Sequence, residues 1–289
     1  MKWQRARRSS NVDDRRGRRI SAGGIGGLGL GGVAVVLVIS LLTGTNPMTL
    51  LGFLSQVEGG PTASQTGLPS APPADDEAAA FVASILGETE DVWGGLISAD
   101  GNSYPAPTLV LFQGAVRSAC GSTSSASGPF YCPGDRQVYI DLGFFDEMRA
   151  HLGGGGDFAE AYVIAHEVGH HIQTLTGVSE RVNEMRARGG NVEGATGPLV
   201  RLELQADCYA GVWAYVAQQR HEWLEPGDIE EALNTATAIG DDRLQRQSRG
   251  TVVPDSFTHG SSAQRVRWFK TGFETGDPQR CDTFGAAQL

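Results

Sequence analysis

Two histidines four residues apart, His166 and His170, with Glu167 between them, lie inside the apolar run AYVIAHEVGHHIQTL. No other feature constrains the fold as tightly. On an α-helix, residues i and i+4 project from one face a single turn apart. Two imidazoles so placed can share one zinc ion, and the intervening carboxylate then reaches the water bound to that metal. The composition of the segment agrees with a helix. Phe158, Tyr162, Val163, Ile164, Val168, Ile172 and Leu175 make it apolar almost all round, as for a helix buried in a sizeable domain. His171 comes directly after the second histidine and points about 100° away round the helix, which suits a packed side chain better than a ligand.

A catalytic zinc needs a third protein ligand and an open fourth position. The stretch VRLELQADCYAGVWAYVAQQ is again helical in pattern, with Glu203 and Asp207 one turn apart on one face. Glu203 is expected to bind the metal, and Asp207 to accept the far N–H of a ligand histidine. Asp207 itself, Glu193 and His259 are the alternative third ligands. Leu202, Leu204, Ala206, Tyr209, Ala210, Val212 and Trp213 leave few exposed positions on this helix, which argues against a solvated acidic stripe. Later, FTHGSSAQRVRWF offers His259 and Arg265, either of which could stabilise an oxyanion. A helix-entry role for His259 and a salt bridge for Arg265 are the competing readings. The run TLVLFQG reads as a strand, either an edge on which an extended peptide could pair or an ordinary core strand.

Charge is spread unevenly along the 289 residues. Residues 1–19 hold eight Lys/Arg against two Asp, whereas the whole chain carries −10. An acidic body argues against nucleic acid as a partner. The basic arm is better explained by its neighbour in the chain, residues 20–43, which contain no charged side chain. That run is long enough to cross a bilayer as a helix, despite its glycines. Gly23, Gly27 and Gly31 recur at a spacing that suits helix association or reflects composition alone. The arginines before the run predict a cytoplasmic N-terminus and an extracytoplasmic body, with an uncleaved anchor favoured over a cleaved signal. Four cysteines in an exported domain read as two disulfides, Cys120–Cys132 and Cys208–Cys281. No two have the spacing of a thiolate zinc site.

The organisation expected is a basic cytoplasmic arm at 1–19, a transmembrane anchor at 20–43, a Pro/Gly/Ser-rich linker at 44–74, and a zinc domain at 75–289. Strands are predicted at 108–116 and 137–142, and helices at 179–188, 199–220, 226–239 and 261–272 besides the metal helix. The fold class is α+β, a small early sheet followed by a mainly helical body.

HEVGHHIQ, RLELQADCYAGVW, EPGDIEEALNTATAIGDDRLQRQSRG and PDSFTHGSSAQRVRWFKTGFE together resemble the bacterial neutral zinc metallopeptidase family. The resemblance implies a zincin-like body behind an N-terminal membrane anchor, with His166 and His170 as zinc ligands and Glu167 as the catalytic glutamate. Glu203 and Asp207 match the Glu-x-x-x-Asp pattern of the gluzincins. The activity so implied is zinc-dependent hydrolysis of extracytoplasmic proteins or peptides. A zinc-stabilised binding or scaffold protein is the alternative, and Glu167 argues against it, because a scaffold has no use for a general base.

Overall fold

A computed structural model describes residues 1–17, 70–99, 101–152 and 155–289. The expected anchor at 20–43 and most of the linker lie outside the described residues. Among the described residues no helix is long and apolar enough to cross a membrane.

The first strand, β1 (Val12–Asp14), precedes a long helix, α1 (Glu77–Ala99). Next come β2 (Thr108–Phe112), the hairpin of β3 (Ala115–Ser118) and β4 (Gly121–Ser124), β5 (Phe130–Cys132) and β6 (Gln137–Asp141). Four of these form one sheet in the order β1-β2-β6-β5. The β1–β2 and β2–β6 pairs are parallel, with Val110 beside Tyr139, and β5 runs antiparallel to β6. TLVLF and QVYID read as near-continuous apolar runs because interior strands are covered on both faces. Leu109, Val110 and Leu111 are fully buried. This settles the reading of TLVLFQG: β2 lies between two neighbours and is a core strand, so it offers no free edge to a peptide. The edges of the sheet are β1 and β5.

After a short helix, α2 (Gly143–Glu147), the chain is helical. The body consists of α3 (Asp157–Leu175), α4 (Val178–Ala187), α5 (Pro198–His221), α6 (Asp228–Ala238), α7 (Asp241–Arg249) and α8 (Ser262–Thr275). The α+β order expected from sequence is the order found. Helix α5 packs against both α3 and α8. Phe158 of α3 stacks on Trp213 of α5, and Tyr162 of α3 meets Phe269 of α8 edge to face. The metal helix approaches α5 closely at Gly169, where an added Cβ would lie 3.0 Å from the Cα of Ala206. Both expected disulfides are present, Cys120–Cys132 across the loop from β3 to β5 and Cys208–Cys281 from α5 to the C-terminal segment.

The basic arm requires a correction. Residues 1–17 are not a separate arm but belong to one compact unit with residues 70–289. Trp3 is buried edge to face against Phe81 of α1. The N–H of Ser9 donates to the Ala83 carbonyl at 2.8 Å, and the backbone at Arg7 passes so near α1 that a Cβ on Gly87 would clash with the Arg7 carbonyl. Part of the positive charge is matched locally. Arg7 pairs with Glu90 and Asp91, Arg15 with Asp13, and Arg16 with Asp14 and Asp76. The N–H of Asp14 donates to the Ser70 carbonyl, and the N–H of Ser70 to Asp13. Residues 1–17 and 70–289 thus form one folded unit. Trp3→Ala is expected to cost about 3–5 kcal/mol of stability, as for other buried tryptophans. An unchanged denaturation midpoint would mean that the N-terminal segment is free.

Candidate metal centre

Helix α3 presents His166 and His170 on one face, and α5 brings Glu203 to them. Ligand-capable atoms of these three side chains all lie within 4.8 Å of one another, the single such His/Cys/Asp/Glu group among the described residues. The Nε2 of His166 is 3.2 Å from Glu203 Oε2, and the Nε2 of His170 is 3.6 Å from Glu203 Oε1. Both rings therefore turn the same nitrogen towards one carboxylate. Two imidazoles and a carboxylate, without thiolate, form a donor set that suits zinc. Glu167, one residue after His166, is buried on the same helix.

The outer nitrogens are held as well. His166 Nδ1 lies 2.8 Å from Asp207 Oδ1. A carboxylate held ionised only accepts, so Nδ1 carries a proton and Nε2 is the nitrogen left to face a metal. Asp207 is wholly buried and also receives the Tyr162 hydroxyl at 2.5 Å. Arg265 completes its shell, donating from Nε and Nη2 at 2.8 Å each. Burial works to raise the Asp207 carboxyl, but the charges of Arg265 and His166 outweigh it and hold the group at about 2. In the metal-free chain burial likewise opposes charge on His166, and Asp207 overcomes it, lifting the imidazole to about 10. His170 Nδ1 is 2.8 Å from Gln173 Oε1.

The remaining candidates separate clearly. Arg265 is buried behind His166, its guanidinium committed to Asp207, and so serves the ion pair rather than an oxyanion. Asp207 sits on the outer nitrogen of His166, away from the face that Glu203 occupies. Glu193 is exposed and stands outside the three-residue group. His259 has a half-exposed side chain, with Nδ1 2.9 Å from Thr258 Oγ1 and 3.5 Å from Asp241. Its hydrogen bond to Asp241 raises its pKa despite burial, and the charge of Glu203 adds to the effect. The other oxygen of Asp241 receives the backbone N–H groups of Thr258, His259 and Gly260, which fixes this turn before α8. His171 is packed, as its position round the helix implies. Its Nε2–H donates to the Pro105 carbonyl and its Nδ1 accepts from Tyr131 of β5. Burial lowers its pKa.

Two residues of the site are not evident from the sequence, Tyr162 and Gln173. Tyr162 reads as core by composition, and only its hydroxyl joins the network. Gln173 carries one usable signal: a polar side chain on a helix apolar all round needs a partner.

A family described as "Putative neutral zinc metallopeptidase" matches residues 1–284. The chain is 50% identical over 293 residues to "Uncharacterized protein YpfJ" of Escherichia coli (strain K12), covering 99% of each chain. It is 50% identical over 196 residues to "Uncharacterized protein Rv2575" of Mycobacterium tuberculosis, covering 64% of this chain and 65% of that one. No solved structure matches it.

Asp207→Asn is expected to weaken zinc binding about 10–100-fold, because the amide no longer holds His166 as the carboxylate does. Titration against a competing chelator measures this. An unchanged dissociation constant would remove Asp207 from the site.

Proposed function

The chain belongs to the neutral zinc metallopeptidase family, and from that premise we propose that it hydrolyses peptide bonds at a zinc ion held by His166, His170 and Glu203. The observation that carries the reading is the convergence of two imidazole Nε2 atoms on one carboxylate, with Glu167 on the same helix. When bound, zinc lowers the pKa of its water towards neutrality and polarises the scissile carbonyl. Glu167 accepts the proton of the attacking water and passes it to the nitrogen of the leaving amine. Asp207 and Gln173 hold the two rings so that neither turns during that transfer. His259, kept towards its cationic form by Asp241, supplies a donor to the developing oxyanion.

The substrates are proteins or peptides outside the cytoplasm. Two disulfides support that compartment, since they persist under oxidising conditions. Strand β1 then carries residues 1–17 to the same side as the metal centre. The uncharged run at 20–43 supports attachment to a membrane, and residues 1–17 and 70–289 belong to one folded body.

Glu167→Gln is expected to retain about one zinc per chain while kcat on a cleavable peptide falls by roughly 10²–10⁴, the usual share of a general base. Metal content and turnover measured on one preparation decide it. Undiminished hydrolysis in this variant would contradict the assigned role.

A further inference from the structure

His166 and His170 are held by different chemistry. The outer nitrogen of His166 meets a carboxylate, which can only accept a hydrogen bond, but that of His170 meets an amide. An amide presents an acceptor at one end and a donor at the other, and the end that faces the ring decides which ring nitrogen carries the proton. Deeper contacts resolve this choice. The far end of Gln173 lies 2.6 Å from the Leu202 carbonyl and 3.1 Å from Gln205 Oε1. A carbonyl oxygen accepts and never donates, so that end is the NH₂ group and Oε1 faces His170. Gln205 is oriented in the same way, because its own NH₂ reaches the Cys281 carbonyl at 3.0 Å. Gln173 is fully buried and Gln205 nearly so, which leaves both dependent on these partners.

We propose that Gln173 is a positioning residue for His170, oriented through Gln205 by the backbone carbonyls of Leu202 and Cys281 so that Nδ1 carries the proton and Nε2 faces the metal position. The chain of amides ends on the residue whose disulfide ties the C-terminal segment to α5, the helix that bears Glu203. The C-terminal segment thereby helps to set a ligand on α3 through these two amides. A neutral amide suits this place. Glu203 and Asp207 already put two carboxylates beside the rings, and a third at position 173 would face the Leu202 carbonyl and Gln205 Oε1 with no donor to answer it.

The inference rests on His170 being a zinc ligand, and its test uses the full chain. Gln173→Met removes the acceptor and is expected to weaken zinc binding about 10–100-fold. Gln173→Glu keeps an acceptor against His170 Nδ1 but buries an unanswered charge. It should melt at a lower temperature than Gln173→Met in the metal-free state, yet bind zinc more tightly than that variant does. A merely structural role would make zinc affinity follow stability, so an affinity order that matches the melting order overturns the proposal. Wild-type affinity in Gln173→Met overturns it too. Should neither variant fold, ring ¹⁵N NMR of the unaltered zinc-loaded chain decides. A proton on His170 Nδ1 is expected, and Nδ1 on the metal would refute the assignment. A wild-type chain that takes up no zinc would sink the metal reading, and this inference with it.

Discussion

Asp207 carries a charge with no access to water, and three helices answer it. Tyr162 and His166 reach it from α3, Arg265 from α8, and the carboxylate itself belongs to α5. Removing one partner from such a group leaves an uncompensated buried charge, at a cost of about 3–5 kcal/mol. The network therefore ties the packing of the helical body to the orientation of a candidate metal ligand. The bidentate pair with Arg265 keeps Asp207 ionised, and an ionised Asp207 keeps the proton of His166 on Nδ1. The close approach of α3 to α5 at Gly169 belongs to the same arrangement, since it brings Glu203 to the level of the two rings.

The candidate metal centre is asymmetric. One histidine is oriented by a charged partner within the three-helix network, the other by two neutral amides that end on backbone carbonyls. Both devices turn Nε2 inward. The neutral arm of the site adds no further negative charge beside Glu203 and Asp207, which matters where burial already opposes every ionised group.

Much of this is legible in the sequence because it depends on local periodicity. His166, His170 and the pair Glu203 and Asp207 stand out as polar residues at one-turn spacing on otherwise apolar helices, and such residues must face something. The disulfides are legible from four cysteines and an expected compartment. The features that the sequence hides depend on distant partners. Strand β1 has one apolar residue in three, and its pairing is with β2, nearly a hundred positions later. A run of arginines before an uncharged segment looks like a free arm until Arg7 is seen to pair with Glu90 and Asp91 of α1. TLVLFQG cannot reveal that it has a neighbour on each side, because the second neighbour comes from that same unrecognised strand. Helix α7, DDRLQRQSR, lacks the apolar stripe that marks a buried helix, and its Leu244 is exposed. Arg265 stands out in sequence as a cation near the site, but only packing decides whether a cation faces substrate or the back of a ligand.

His166 and His170, through Nε2, and Glu203, through its carboxylate, are the proposed ligands of one zinc ion. A zinc-edge anomalous difference map from crystals of the zinc-loaded chain tests this assignment most directly. The expected result is one peak about 2.0–2.2 Å from both Nε2 atoms and from an oxygen of Glu203, with Asp207 outside bonding distance. A peak that contacts Nδ1 of either ring, that takes Asp207 in place of Glu203, or that lies away from α3 would contradict the account.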